Sequence, residues 1–409
     1  MLADAPAHHL FVLLAPVSNV KALPQVICVL QVCYEGCISV TTVTDNLSHG
    51  RRAAGDLIPW TVSQQFQDKE FARLSGARIV RIATHPEYQR MGYGQRALEL
   101  LSEYYMGHIP TLEEKTMHVS QELPEQEVPT PRTCLPPLLL KLSERRAERL
   151  DYLGVSYGLT APLLKFWKKA GYIPVYMRQT PNDLTGEHTC IMLKCLQEDS
   201  RWLPELFMDF RRRFLFLLGY QFRDMKPSVA LSLLKSEAKT EELCAEDVSR
   251  LFSVYDMKRL ELYTQNLVDH HLITDLLPSL AQTFFLRRFG SEMRLSAVQS
   301  AILLGLGLQH RAVDSLSKEL DLPVSQLLGL FNRVVRKCIQ HLRFFLEKKG
   351  SLPTENPQQL VAQDLNRVKM EQKCEKLQQM DLSQYSIKGS ESEWQDALGQ
   401  TKNLVSIKR

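Results

Sequence analysis

The spacing of apolar residues changes about halfway along the chain, and the change predicts two kinds of domain. Up to residue 197, Val, Ile and Leu form short runs between polar turns, which is typical of strands alternating with helices. From Trp202 onward, apolar residues recur with the helical period of a segment that buries one face. We predict an α/β domain over 1–197, an all-helical domain over 198–349, and a polar, Gln-rich linker and tail over 350–409.

The apolar runs of the first domain predict individual elements. The predicted strands are His9–Leu14, Pro24–Tyr34, Ile79–Ala83, Tyr152–Tyr157, Ile173–Met177 and Thr189–Leu193. Helices are predicted after Gly94 and over Leu163–Ala170. Two segments lack a clear period, and we expect both to be loops. One is 42–71, which contains Trp60, and the other is an insertion over about 108–137 that is rich in Pro, Glu and Thr.

One motif points to chemistry: Q-x-x-G-x-G, formed by Gln89, Gly92 and Gly94 between a buried strand and an amphipathic helix. Backbone N–H groups of such a turn, together with the helix dipole, favour an anion, and the glycines leave room for a pyrophosphate. The spacing differs from the Rossmann and P-loop motifs. Taken alone, it more often marks an ordinary strand-to-helix turn.

The motif resembles the signature of the GCN5-related N-acetyltransferases, which bind the pyrophosphate of acetyl-CoA there. Phe166–Tyr172, F-W-K-K-A-G-Y, resembles the second motif of that superfamily. Four more segments resemble the RNA cytidine acetyltransferases: Ala5–Phe11, Gly55–Ser63, Glu148–Thr160 and Arg178–His188. The likeness covers this whole chain but only the C-terminal part of a full family member.

The resemblance implies a GCN5-related mixed sheet with helices, followed by a helical RNA-binding domain. It implies acetyl transfer from acetyl-CoA to N4 of cytidine in 18S rRNA and tRNA. It also implies a role in ribosome biogenesis and a location in the nucleus, in the nucleolus. The implied partners are these RNAs, an adaptor protein for tRNA and a second copy in a homodimer. Full members use ATP in an upstream helicase-like module. We expect that module, and the first strand and helix of the acetyltransferase domain, to be absent here, and RNA acetylation by the chain alone to be weak or absent.

The resemblance also assigns residues to the cofactor. Backbone N–H groups of Ile82, Ala83 and Thr84 would face the pantetheine arm and the thioester. The pyrophosphate would be wrapped by Gln89, Arg90, Met91, Gly92, Tyr93, Gly94 and Gln95. Lys169 would contact a phosphate, or would simply be a solvated lysine that favours the end of its helix.

A general base is required because the N4 lone pair of cytidine is delocalised into the ring. His85 follows the signature strand, and Glu187 and His188 lie in a loop before the last strand. His85 has a suitable intrinsic pKa but could equally close the turn before Pro86. The sequence leaves the choice among the three open.

In the helical domain, 312–337 has the spacing of a helix-turn-helix, whose second helix carries Asn332, Arg333, Arg336 and Lys337. A helical hairpin with a solvated basic face has the same pattern. Basic residues outnumber acidic ones in 201–350, although the whole chain has a net charge of only +4. Three arginines precede two phenylalanines in Arg211–Phe216, R-R-R-F-L-F, which suits phosphate contact backed by a buried face.

Composition narrows the alternatives. The nine cysteines contain no C-x-x-C pair, so we expect reduced thiols in an intracellular protein and no metal site. No apolar stretch approaches the length of a membrane helix, so no membrane association is expected. Two other functions fit the pattern: a non-catalytic fragment that binds RNA or a pre-ribosome, and an acetyltransferase acting on protein lysines.

Overall fold

The computed structural model describes residues 8–16, 24–50, 55–110, 139–197, 201–235 and 241–347. The chain divides into two compact units, Met1–Lys348 and Lys349–Arg409. The predicted tail over 350–409 and most of the predicted insertion lie outside the described residues.

A six-stranded mixed sheet forms the first part of the chain, in the order β1-β2-β3-β4-β6-β5. The strands are β1 His8–Leu14, β2 Val26–Gly36, β3 Ser75–Thr84, β4 Tyr152–Gly158, β5 Ile173–Met177 and β6 Thr189–Cys195. Neighbouring strands are antiparallel except β3 and β4, which are parallel. A parallel pair needs a crossover between its strands. The helix of that crossover, α3 Tyr93–Tyr105, packs against β2 and β3.

The prediction of a surface loop over 42–71 is wrong, because two helices occupy much of it. They are α1 Val40–Ser48 and α2 Leu57–Phe66. In α2, Ile58, Trp60 and Val62 are buried. Six consecutive residues of α2, Ile58 to Ser63, are buried, so its sequence does not show the alternation of apolar and polar faces that marks a surface helix.

Helix α2 is anchored by Glu35, a buried residue of β2. The Glu35 carboxylate accepts a hydrogen bond from the Ile58 N–H at 3.0 Å and pairs with Arg78 of β3. The carboxylate therefore satisfies a backbone donor of the first helical turn, which has no partner inside the helix. Glu35 holds α2 on the sheet from 23 residues away along the chain.

The rest of the described chain is helical, as predicted. The helices are α4 Ala161–Lys169 in the sheet domain, then α5 Trp202–Leu217, α6 Pro227–Leu234, α7 Ala245–Leu251, α8 Val254–Thr264, α9 Leu277–Phe285, α10 Ala297–Gly307, α11 Val313–Leu320 and α12 Val324–Glu347. Helix α5 packs against β5 and β6, so one apolar core runs from the sheet into the helices. In the described part of the chain, no helix is long and apolar enough to span a membrane.

Candidate functional site

The parallel strands β3 and β4 separate partway along their length. They pair only from Gly76 to Ile79, opposite Tyr152 to Val155. Beyond this point β3 stays paired with β2 as far as Thr84, and β4 stays paired with β6 as far as Gly158. The β4 side of β3 from Val80 to Thr84 therefore has no strand partner in the described sheet. Its backbone groups can bind a ligand in the opening.

Local features explain why the strands part there. The register between β2 and β3 shifts at Val80, because Gln31 pairs with Arg81 while Val32 pairs with Ile79. Such a bulge bends the strand that carries it. At the closed end, Gly76 lies against the Tyr152 ring and Gly154 against Ile58, where no side chain could fit without displacing them. The glycines permit close pairing, and the bulge ends it.

The turn after β3 leads into the N-terminus of α3. The His85 N–H donates to the Ile27 carbonyl at 2.8 Å, and a short 3₁₀ turn over Pro86–Tyr88 follows. Arg90 and Gly92 have left-handed φ angles of 62° and 92°. Gly92 is the N-cap of α3, and no side chain caps the helix. The first N–H groups of α3 are thus available to an anion.

Gly94 lies where the two sequence motifs meet. A Cβ on this residue would stand 3.3 Å from the Thr84 hydroxyl and 3.7 Å from the Phe166 ring. Thr84 ends β3, and Phe166 belongs to the second motif, on α4. Gln89 also reaches back to this junction, since its side-chain amide donates to the Thr84 carbonyl at 3.4 Å. The sequence did not single out Phe166 as a neighbour of the turn.

The remaining predicted cofactor residues are placed on the same strand, turn and helix. Ile82 and Thr84 are half-buried and Ala83 is exposed. All three lie in the part of β3 that is not paired with β4. Met91 is 65% exposed at the tip of the turn, while Tyr93 and Gln95 are half-buried in the first turn of α3.

The two lysines that end α4 differ in their surroundings. Lys169, the predicted phosphate ligand, is exposed in the last turn. Lys168 instead contacts the helical domain, because its ammonium donates to the carbonyls of Ser232 and Lys235 at the end of α6. Burial, together with the charge of Lys235, lowers the pKa of Lys168 to about 8. Only Lys169 is free to meet a ligand.

We call β3 and β4 beyond Ile79 and Val155 the two arms of the opening. Of the candidate bases, Glu187 lies beside the end of the β4 arm. Its carboxylate occupies the space beside the Gly158 Cα, where a Cβ would overlap it. Within the described chain, no hydrogen-bond donor contacts this carboxylate. It is therefore free to accept a proton from a ligand.

The two histidines each have one ring nitrogen engaged. His188 Nδ1–H donates to the Arg178 carbonyl at 2.9 Å, and its ring lies 5.0 Å from the Phe222 ring. His85 caps the 3₁₀ turn, since its Nδ1 accepts from the Glu87 N–H at 3.4 Å. Both contacts are structural, although neither occupies Nε2.

The two helices predicted over 312–337 are present as α11 and α12, joined at Asp321, whose φ of 53° is left-handed. Two of the basic residues of α12 contact neighbouring backbone. Arg336 donates to the Thr264 carbonyl at 3.0 Å, and Lys337 donates to the Arg294 carbonyl at 2.9 Å. Asn332 donates to the Tyr263 carbonyl at 3.1 Å. Arg333 is exposed. Much of this polar cluster therefore anchors α12 to the end of α8.

Two family models match the chain. One, described as GNAT acetyltransferase 2, matches residues 1–197. The other, described as a possible tRNA binding domain, matches residues 202–368.

Curated relatives match along the whole chain. The RNA cytidine acetyltransferases of Mus musculus and Homo sapiens are each 50% identical over 100% of this chain and 43% of their own length. That of Schizosaccharomyces pombe is 44% identical over 100% of this chain and 45% of its own. The chain thus spans less than half the length of these relatives. Among solved structures, the ribosomal-protein-S18-alanine N-acetyltransferase from Escherichia coli is 16% identical, with a TM-score of 0.19, over 31% of this chain and 57% of that one.

Proposed function

The chain belongs to the family of the RNA cytidine acetyltransferases, and from that premise we propose that it transfers an acetyl group from acetyl-CoA to N4 of cytidine in RNA. The observation that carries the proposal is the opening between β3 and β4, next to an uncapped helix N-terminus. A free strand edge and an anion site in one place fit a ligand with an amide-containing arm and a pyrophosphate. Acetyl-CoA has both, and its thioester supplies the activated acetyl group.

The residues of the turn fit this cofactor. The left-handed backbone at Arg90 and Gly92 directs successive N–H groups to one side, which is a recurring anion-binding arrangement. In this proposal a phosphate lies at the first turn of α3, where Gly94 adds no side chain of its own; a Cβ there would stand 3.3 Å from the Thr84 hydroxyl. In this proposal, Ile82, Ala83 and Thr84 orient the arm through backbone groups, and Lys169 adds a positive charge.

We assign proton removal to Glu187. Its carboxylate lies on the β4 arm, so an acceptor amine entering the opening from that side would have a base beside it. Within the described residues, no donor or cation occupies the carboxylate, so it can take the N4 proton while the N4–acetyl bond forms, the C–S bond of the thioester breaks and the CoA thiol leaves. His188 positions this loop through the Arg178 carbonyl and Phe222. His85 remains the second candidate, because its Nε2 is free.

We propose 18S rRNA and tRNA as the acceptors, ribosome biogenesis in the nucleolus as the setting, and an adaptor protein for tRNA as a partner. These follow from the resemblance, and the match to a possible tRNA binding domain supports RNA as the acceptor class. We also propose that this chain does not bind ATP, since its sequence has no P-loop motif.

The test is to supply labelled acetyl-CoA with RNA or with a lysine-rich protein, using stoichiometric amounts of the chain so that slow transfer is detected. The RNA is then digested to nucleosides and separated by mass. We expect label in N4-acetylcytidine and none in protein. Label in lysine alone would support the protein acetyltransferase. RNA and acetyl-CoA binding without any transfer would support the non-catalytic fragment.

A further inference from the structure

The outer face of α5 and the turn after it carry exposed aromatic side chains next to arginines. Arg212 and Phe216 are four residues apart in α5, which places them on one side of the helix, and Tyr220 follows in the turn after it. Phe216 is 52% exposed and Tyr220 is 73% exposed. We call these three residues the α5 ridge. The apolar side of the helix is already used in the core, through Phe207, Phe210 and Phe214.

The surroundings of the ridge are positively charged. Arg212, Arg213, Arg223 and Lys226 are all exposed, against the two nearby carboxylates of Asp209 and Asp224. Arg223 is held in place because its guanidinium donates to the carbonyls of Gln309 and His310 at 3.1 Å and 2.9 Å. Exposed aromatic rings beside fixed positive charge suit an anionic polymer that also has flat, apolar faces.

The ridge ends beside the acceptor side of the candidate site. Tyr220 lies in the turn between α5 and α6, and Phe222 of the same turn packs on the His188 ring at 5.0 Å. His188 directly follows Glu187, the proposed base. An RNA strand lying along the ridge from Arg212 to Tyr220 would therefore end near the loop that carries His188 and Glu187.

We propose that the α5 ridge binds an unpaired stretch of the acceptor RNA, with Phe216 and Tyr220 stacking on bases and Arg212 contacting a phosphate. The inference rests on the proposed function. A cytidine must leave its helix before its N4 can enter a cleft, and the lost stacking has to be replaced. Aromatic side chains provide that replacement for any base, while basic residues follow the backbone. The occupant is thus single-stranded RNA.

The test uses the full chain and a short fluorescein-labelled single-stranded RNA, with binding followed by anisotropy. Replacing Phe216 and Tyr220 together by Ala should weaken binding by about tenfold or more for each ring lost. Tyr220→Phe should bind like the parent, because stacking needs the ring and not the hydroxyl. The matched control is Tyr255→Ala, since Tyr255 is 76% exposed on α8, away from the ridge. Thermal unfolding should be unchanged in every variant.

A second measurement addresses the charge. Arg212→Ala should reduce the slope of log affinity against log salt by about 0.7, the value for one lost contact with single-stranded nucleic acid. The docking site is overturned if the double variant keeps its RNA affinity, if Tyr255→Ala loses as much, or if Tyr220→Phe behaves like Ala. The docking site is also overturned if the ridge binds a protein while the ridge variants keep the RNA affinity of the parent.

Acetyl-CoA affinity, measured on the same proteins, separates this inference from the proposed function. Ridge variants should bind the cofactor like the parent. If the parent transfers no acetyl group but the ridge variants lose RNA affinity, the docking site stands and the transfer function fails. If the parent binds no RNA, the docking site fails whatever happens to acetyl-CoA.

Discussion

Ile79 of β3 and Val155 of β4 are the last paired residues of the two parallel strands, and the candidate site begins immediately beyond them. Both side chains are buried, so the pair closes the core at the base of the opening. From there, β3 leads to the turn over Gln89–Gly94, and β4 ends at Gly158, beside Glu187. The separation of the strands therefore leaves the predicted pyrophosphate residues after β3 and the proposed base beside the end of β4.

Alanine should have opposite effects on stability at two glycines, one packed tightly at the base of the opening and one in open space on α12. At Gly154, a Cβ would overlap Ile58 and stand 3.0 Å from Leu193, so Gly154→Ala should lower the free energy of unfolding by about 1–3 kcal/mol. At Gly329, in α12, an added Cβ would meet no atom within 4 Å outside the nearby backbone of its own helix. Gly329→Ala should therefore raise the free energy of unfolding by about 0.5–1 kcal/mol. Urea denaturation measures both. Equal effects would mean that α2 does not lie on the strand.

Lys168 predicts a dependence of stability on pH. Its pKa is lowered from 10.5 to about 8 in the folded protein. Between these values the unfolded chain holds a proton on Lys168 that the folded chain has released, so stability rises with pH in that window. The difference in unfolding free energy between the parent and Lys168→Met should therefore increase from about pH 8 toward pH 10. A constant difference would show that the carbonyls of α6 keep the ammonium charged.

Glu187→Gln should slow acetyl transfer to RNA by about 10²–10⁴-fold, because it removes a base and keeps the shape of the side chain. Acetyl-CoA affinity and thermal stability should not change.

His188→Ala should instead lower stability, since the His188 ring is hydrogen-bonded to the Arg178 carbonyl and packed on Phe222. If Glu187→Gln retains the parent rate of acetyl transfer and His85→Ala loses it, His85 rather than Glu187 is the base.

Arg336 and Arg333 are one turn apart on α12 but should respond differently to alanine. Arg336→Ala removes the hydrogen bond to the Thr264 carbonyl and should cost about 1 kcal/mol of stability. Arg333→Ala should leave stability unchanged, because the exposed Arg333 side chain makes no such hydrogen bond within the described residues. Chemical denaturation of the two variants makes the comparison. If Arg333→Ala proves the more destabilising, the anchoring role of Arg336 is wrong.

The sequence predicted those parts of the fold whose pattern is contiguous. The strand, turn and helix around Gly92 are encoded by neighbouring residues, and so are α11, its turn and α12. Family membership and the acetyltransferase fold, predicted from short motifs, are confirmed.

The rest depends on contacts between distant residues. The burial of α2 requires Glu35, and six consecutive buried residues hide the one-sided pattern of a surface helix. The meeting of Gly94 with Phe166 requires the sheet to bring α3 and α4 together. The basic residues of α12 look alike in sequence, and only the position of α8 separates Arg336 from Arg333. The residues assigned to cofactor and catalysis stay predictions.

The most direct test of the account is calorimetric titration of acetyl-CoA into the parent chain, Gly94→Glu and the control Gly329→Glu. In the proposed site a phosphate lies at the first turn of α3, so a carboxylate introduced at Gly94 would repel it, whereas a side chain added at Gly329 meets open space. We predict saturable binding to the parent and to Gly329→Glu, and no measurable binding to a folded Gly94→Glu chain. Equal affinity in Gly94→Glu, or no binding to the parent, would contradict the account.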